Sequence, residues 1–177
     1  MTNKIKSFWV VIVIALFGVL VFFDQYTKQL AVSRLKGGDP FVILEGIFEF
    51  RYHENEGAAW GMLQGAQGIF FVLTSVFTII VIYEIKRLWC NMRYLPFILN
   101  LVLVLSGAIG NFIDRLSFQY VRDFIYVKAI NFPIFNIADS YITISVAILI
   151  LMTFFYYTEE EFDFILPFGT KKVKKEE

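Results

Sequence analysis

The side chains able to do chemistry in this 177-residue chain are carboxylates and amides, and they gather at a few points: Asp24 with Lys28; Asn55; Asn111, Asp114 and Arg115; Asp123; and Asn136 with Asp139. Two carboxylates within reach of one water, one ionised and one protonated, can hydrolyse an amide. The anion takes a proton from the water, and the acid donates to the carbonyl oxygen and then to the leaving amine. Placed close together they share a proton and titrate as a pair. Other devices lack parts. The chain has one histidine, His53, and one cysteine, Cys90. A single cysteine excludes an internal disulfide framework, a Cys/His metal site lacks ligands, and any Ser-His-Asp or Cys-His arrangement must use His53. No metal or cofactor is expected.

The spacing suits helix ends. Asp24 and Lys28, four apart, share a helix face and can pair. Asn111, Asp114 and Arg115 fall at i, i+3, i+4, and Asn136, Asp139, Ser140 and Thr143 at i, i+3, i+4, i+7, a single polar stripe. Each has a structural explanation: Asp24–Lys28 an ion pair, Asp114–Arg115 a similar pair setting one loop against another, Asn136 a helix cap, Asp139 a first-turn acid suited to the helix dipole. The glycines Gly57, Gly107 and Gly110 read alone as ordinary close packing. Several ionisable groups at one level of a membrane protein need a collective reason, because each costs about 2.5–3.5 kcal/mol at a helix centre.

That level is set by four apolar stretches. The chain is 58% hydrophobic with mean hydropathy +0.63. Its charge-free runs, Ser7–Phe23, Gln67–Tyr83, Tyr94–Ile113 and Ser140–Thr158, are of membrane-crossing length, and a soluble protein this small would have too little polar sequence to coat them. The expectation is an all-α membrane protein forming a single domain over residues 1–177. Its spans run at about 5–27, 67–86, 94–114 and 137–158. The run after Lys4 and Lys6 lacks a small-residue cleavage site and reads as an uncleaved first span rather than a signal peptide. Lys86, Arg87 and Arg93, and the four tail lysines, place the loop at about 87–93, the tail 159–177 and both termini in the cytoplasm. Loops at about 28–66 and 115–136 then face outward. The first, with "GGDPFVILEGIFEFRYHENEGAAWG", alternates Ile47, Glu49, Arg51 against Phe48, Phe50, Tyr52. It predicts a small β-rich structure on the membrane surface between spans one and two. Sixteen basic residues balance sixteen acidic ones, which gives no footprint for nucleic acid. Internal repeats of the transporter kind are absent. Two other classes remain: a small cation or proton transporter, which needs acids distributed along a pore, and a non-catalytic scaffold, in which exchanging Asp123 or Asp139 for asparagine is silent.

With these motifs the chain resembles the lipoprotein signal peptidase (signal peptidase II) family of bacterial intramembrane aspartyl proteases. The resemblance rests on "DQYTK" at Asp24–Lys28, "NEGAAWG" at Asn55–Gly61, "GAIGNFIDR" at Gly107–Arg115, "VRDF" at Val121–Phe124 and "FNIAD" at Phe135–Asp139. It implies a bacterial cytoplasmic-membrane endopeptidase, free of cofactors, with its site near the outer face; one catalytic constellation per chain points to a monomer. Its substrates would be prolipoproteins carrying diacylglyceryl on a cysteine, cut just N-terminal to that residue. It also implies Asp123 and Asp139 as the catalytic pair, with Asp24, Lys28, Asn55, Gly57, Asn111, Asp114, Arg115 and Asn136 shaping the site or holding substrate. The family's usual glycine pair is Ser106–Gly107 here, and the interval between Asp123 and Asp139 is slightly short. The helix dipole favours Asp139 as the ionised partner and Asp123 as the protonated one. The outer loop, with Trp60 near its end, is expected to close over the substrate.

Overall fold

The structure, a computed structural model, describes residues 3–57 and 67–165. Four long helices, α1 (Asn3–Leu35), α2 (Gln67–Leu88), α3 (Leu95–Phe118) and α4 (Ile137–Phe155), carry segments long and apolar enough to cross a membrane. The burial pattern sorts them. Half of the most apolar window of α3 is buried, against 11% in each of the others. So α3 is the axis, and α1, α2 and α4 turn apolar side chains such as Val11, Ile79 and Phe154 outward. That surface is unfavourable in water and suited to lipid; the protein is a multi-pass membrane protein. Helix α3 and helix α4 approach closely at Gly107, where an added Cβ would lie 2.5 Å from the Ala138 carbonyl oxygen. The packing role read for this glycine is thus a real one.

Helix α1 continues to Leu35, so the eight residues after position 27, expected in the outer loop, are helical. Nothing in "KQLAVSRL" breaks a helix, and Gly37 (φ 77°) is the first residue that does. Helix α3 ends with Gln119 in the left-handed region (φ 69°), its N–H returning to the Arg115 carbonyl.

A three-stranded antiparallel sheet, β1 (Phe41–Leu44), β2 (Phe48–Asn55) and β3 (Val121–Val127), caps one end of the bundle in the order β1-β2-β3. Gly46 (φ 72°) makes the tight β1–β2 turn. The predicted β-rich structure between spans one and two supplies only two of these strands. The third comes from the connection between α3 and α4. "VRDFIYV", β-branched and aromatic, pairs along β2 with His53 opposite Asp123 and Asn55 opposite Val121. At the other end, a short helix α5 (Glu159–Ile165) folds back so that Ile165 and Tyr157 pack on Leu88, Tyr94 and Phe97. Arg87 bonds the Phe164 and Ile165 carbonyls at 2.6 and 2.7 Å, and Cys90 is exposed nearby.

Candidate active site

The candidate site residues Asp24, Lys28, Asn55, Gly57, Asn111, Asp114, Arg115, Asp123, Asn136 and Asp139 are joined at the sheet end of the bundle, and two asparagines connect the two proposed catalytic carboxylates. Helix α4 opens with a capping box. The Asn136 side chain accepts from the Asp139 N–H (3.0 Å), and an Asp139 carboxylate oxygen accepts from the Asn136 N–H (3.1 Å). The cap predicted for Asn136 is therefore present, but its amide has a second task. Its Nδ2 donates to Asp123 Oδ1 at 2.6 Å and to Asn111 Oδ1 at 3.1 Å. Asn111, on α3, donates to Asp139 Oδ1 at 2.7 Å. Asn55, at the end of β2, donates to Asp123 Oδ2 at 2.9 Å. Strand, helix cap and central helix thus each send an amide to one or both carboxylates, and both carboxylates line one cavity of about 710 Å³.

Beneath this layer lies a buried ionic one. Lys28 bonds Asp24 (2.9 Å), approaches Asp114 (3.5 Å) and donates to Asn111 Oδ1 (2.9 Å). The last contact fixes the amide of Asn111 so that its nitrogen, not its oxygen, meets Asp139. Asp24 also accepts from the Ala138 N–H at 2.9 Å, tying α1 to the first turn of α4. Lys28, Asp24 and Asp114 have no solvent exposure, so each ion depends on the others for stabilisation. An added Cβ at Gly110 would sit 2.5 Å from Asp24 Oδ2, so a glycine lets the ion pair pass.

The pair expected between Asp114 and Arg115 does not form. Adjacent residues on a helix point about 100° apart and cannot share a face. Asp114 turns inward to Arg122, accepting from its Nη2 at 2.7 Å, its Nε at 3.1 Å and its backbone N–H at 2.9 Å. Arg115 turns to the cavity, donates to the Gly57 carbonyl at 3.2 Å and lies 4.3 Å from the centre of the Phe70 ring. The Gly57 N–H in turn donates to Asn55 Oδ1 at 3.0 Å. Sequence reasoning missed two members of the ionic layer. Arg122 anchors β3 beside Asp123. Gln25 joins Asp24, Asp114 and the Gly110 carbonyl and accepts from Arg122 at 2.9 Å. Both stand inside the quoted motifs next to an aspartate, which was the available signal.

Electrostatics separate the two carboxylates. Asp123 is 1% exposed, while Asp139 is only half-buried. Burial first, and then the facing Asp139 charge, raise the pKa of Asp123 to about 7 against the opposing pull of the Asn55 and Asn136 amides and of Lys28. His53, across the strand pair from Asp123, has an exposed side chain and does not line the cavity. Among the described residues no cluster of His, Cys, Asp or Glu has the make-up of a metal site. Trp60, Ala58, Ala59 and the lysine-rich tail lie outside the described residues.

Residues 16–155 match the family model for signal peptidase II, Peptidase_A8. The chain is 41% identical over 145 residues to a lipoprotein signal peptidase of Anoxybacillus flavithermus, covering 81% of this chain and 83% of that one. It is 39% identical over 157 residues to the lipoprotein signal peptidase of Geobacillus thermodenitrificans, covering 88% and 97%. Its fold superposes on a bacterial membrane enzyme solved at 2.3 Å resolution with a TM-score of 0.72 and 36% identity, over 92% of this chain and 94% of the other.

Proposed function

This chain belongs to the signal peptidase II family and is a peptidase, and from that premise we propose that it cleaves signal peptides from diacylglyceryl-modified lipoprotein precursors, just N-terminal to the lipidated cysteine, with Asp123 and Asp139 as its acid–base pair. The observation that carries this reading is the single residue Asn136, which bonds both carboxylates at the wall of one cavity. Asp139 is the base. It sits in the first turn of α4, and its carboxylate accepts from the Asn111 side chain and the Asn136 N–H, which orient it in the cavity. Asp123, with its raised pKa, holds the shared proton near neutral pH and delivers it to the carbonyl oxygen as water attacks. Charge balance favours the same state. Asp24, Asp114, Asp123 and Asp139 face Lys28, Arg115 and Arg122, four acids to three cations, so one proton on the pair leaves the buried network neutral.

Substrate enters as an extended segment. Arg115 has a buried Nε with no acceptor among the described residues, and a substrate carbonyl fits that donor. The cavity wall includes apolar Phe70, Phe132, Ile142 and Ile144, which suits lipid-bearing substrate at a bilayer boundary. The acids gather at one end of the bundle instead of lining a path through it, which favours hydrolysis over a transport relay. The site faces the outer side with both termini cytoplasmic, and one chain carries a whole constellation, so the enzyme acts as a monomer.

Purified protein assayed on a lipidated precursor tests this. Asp123→Asn and Asp139→Asn should each lower kcat by about a hundred- to ten-thousandfold while the variants still insert and bind substrate. Full activity in either variant overturns the acid–base roles. Equal rates on lipidated and unlipidated precursor overturn the substrate assignment.

A further inference from the structure

A second groove lies on the other side of β3 from the carboxylates, and its lining shares no residue with the catalytic cavity. It has a volume of about 870 Å³. Leu30 and Ala31 of α1 form one wall; Phe48, Phe50 and Phe124 of the sheet form the other. The groove continues the lipid-facing surface of α1, where Phe22, Tyr26 and Leu30 are exposed, and β1 beside it exposes Phe41, Val42, Ile43 and Leu44.

Its rim carries Arg34 from the last turn of α1 and Asp39 from the turn that follows, both exposed. Neighbouring charges are paired: Lys36 with Glu54 at 2.7 Å, Arg51 with Glu49 at 2.8 Å, Lys128 with Glu49 at 3.2 Å. Arg34 and Asp39 bond neither each other nor any other described residue. An apolar slot open to the bilayer, with an unpaired cation and an unpaired anion on one rim, is complementary to a zwitterionic lipid.

We infer that this groove binds a glycerophospholipid with a phosphoethanolamine headgroup, its acyl chains against the Phe48–Phe50–Phe124 wall, its phosphate on Arg34 and its ammonium on Asp39. A guanidinium presents paired N–H donors to phosphate oxygens, and a primary ammonium donates hydrogen bonds to a carboxylate. A phosphoglycerol headgroup can place its phosphate on Arg34 but brings no cation to Asp39. A phosphocholine headgroup has no N–H for the carboxylate. Bound there, the lipid braces the sheet that carries Asn55 and Asp123 against α1.

The test is lipid retention by the delipidated full-length protein, read by native mass spectrometry with phosphatidylethanolamine, phosphatidylglycerol and phosphatidylcholine of matched chains. It uses no substrate and so is independent of the peptidase reading. Phosphatidylethanolamine should be retained at least about fivefold better than the others, the ratio that one interfacial charge contact supplies. Arg34→Ala should lower retention of all three lipids by a similar factor, since each carries the phosphate. Asp39→Asn should bring phosphatidylglycerol up to phosphatidylethanolamine. Neither residue touches the carboxylate network, so the thermal unfolding temperature in detergent, which reports folding, should be unchanged in both. Equal retention of all three lipids by the wild type, a preference that survives Asp39→Asn, or retention unaltered by Arg34→Ala overturns the inference.

Discussion

Replacing Asn55 with leucine keeps the approximate volume and deletes one of the two amides donating to Asp123, at 2.9 Å. The Asn136 donor stays, and Asn136 still caps α4. Hydrogen bonds to a charged acceptor contribute about 1.5–3 kcal/mol. The donor stabilises the Asp123 anion, so its loss raises the proton affinity by about one to two pKa units at 1.36 kcal/mol each. The sign follows from the shared proton. In the proposed mechanism the active form carries it on Asp123, whose pKa is about 7, so wild-type kcat/KM is expected to fall as pH rises through that value. In Asn55→Leu the proton is held longer, and the alkaline limb moves up to about pH 8–9. The assay is kcat/KM between about pH 5 and 10 on a lipidated precursor, since that ratio reports the free enzyme. A lower plateau is compatible with this, because Asn55 also orders Gly57. An alkaline limb that stays in place or moves down refutes the assignment of the proton to Asp123.

Other perturbations reach the same network from different sides. Arg122→Gln leaves Asp114 without its bidentate partner at 0% exposure, which should cost about 3–5 kcal/mol of stability; an unchanged thermal unfolding temperature in detergent would show that Arg122 does not hold β3. Gly107→Ala forces the Ala138 carbonyl away from α3, shifting the turn that carries Asp139, and a displacement near 1 Å should cost about a hundredfold in kcat; wild-type kcat would mean that α4 yields without moving the site. Lys28→Met removes the donor that orients Asn111, so the variant should lose both stability and cleavage, with detergent unfolding and precursor turnover falling together. Cys90→Ser should alter neither, since the exposed thiol is at the end of the bundle away from the carboxylates.

Much of this arrangement was legible in the residues because helix ends are a local property. "FNIAD" specifies a cap at Asn136 and a first-turn acid at Asp139 with no knowledge of the rest of the fold, and the capping box is found as such. The Asp24–Lys28 pair follows from a four-residue spacing on one helix. The length of each apolar run determines how many helices can cross a bilayer, which is why four were visible. Local spacing also misled. It paired Asp114 with its neighbour Arg115, where the partner is Arg122 on a strand that reaches Asp114 only because β3 pairs with β2.

Sequence by itself determined the apolar spans, the caps, the glycines where backbones meet, and the set of acids and amides available for chemistry, since each depends on residue type and short-range spacing. Tertiary structure alone decided that β3 joins a sheet begun some eighty residues earlier, that Asn136 serves as cap and bridge at once, and that Asp123 is buried deeply enough for its pKa to rise to about 7. The physical reason is that these depend on which distant surfaces are in contact and how much water they exclude, and desolvation of a carboxylate is a property of the whole packed assembly.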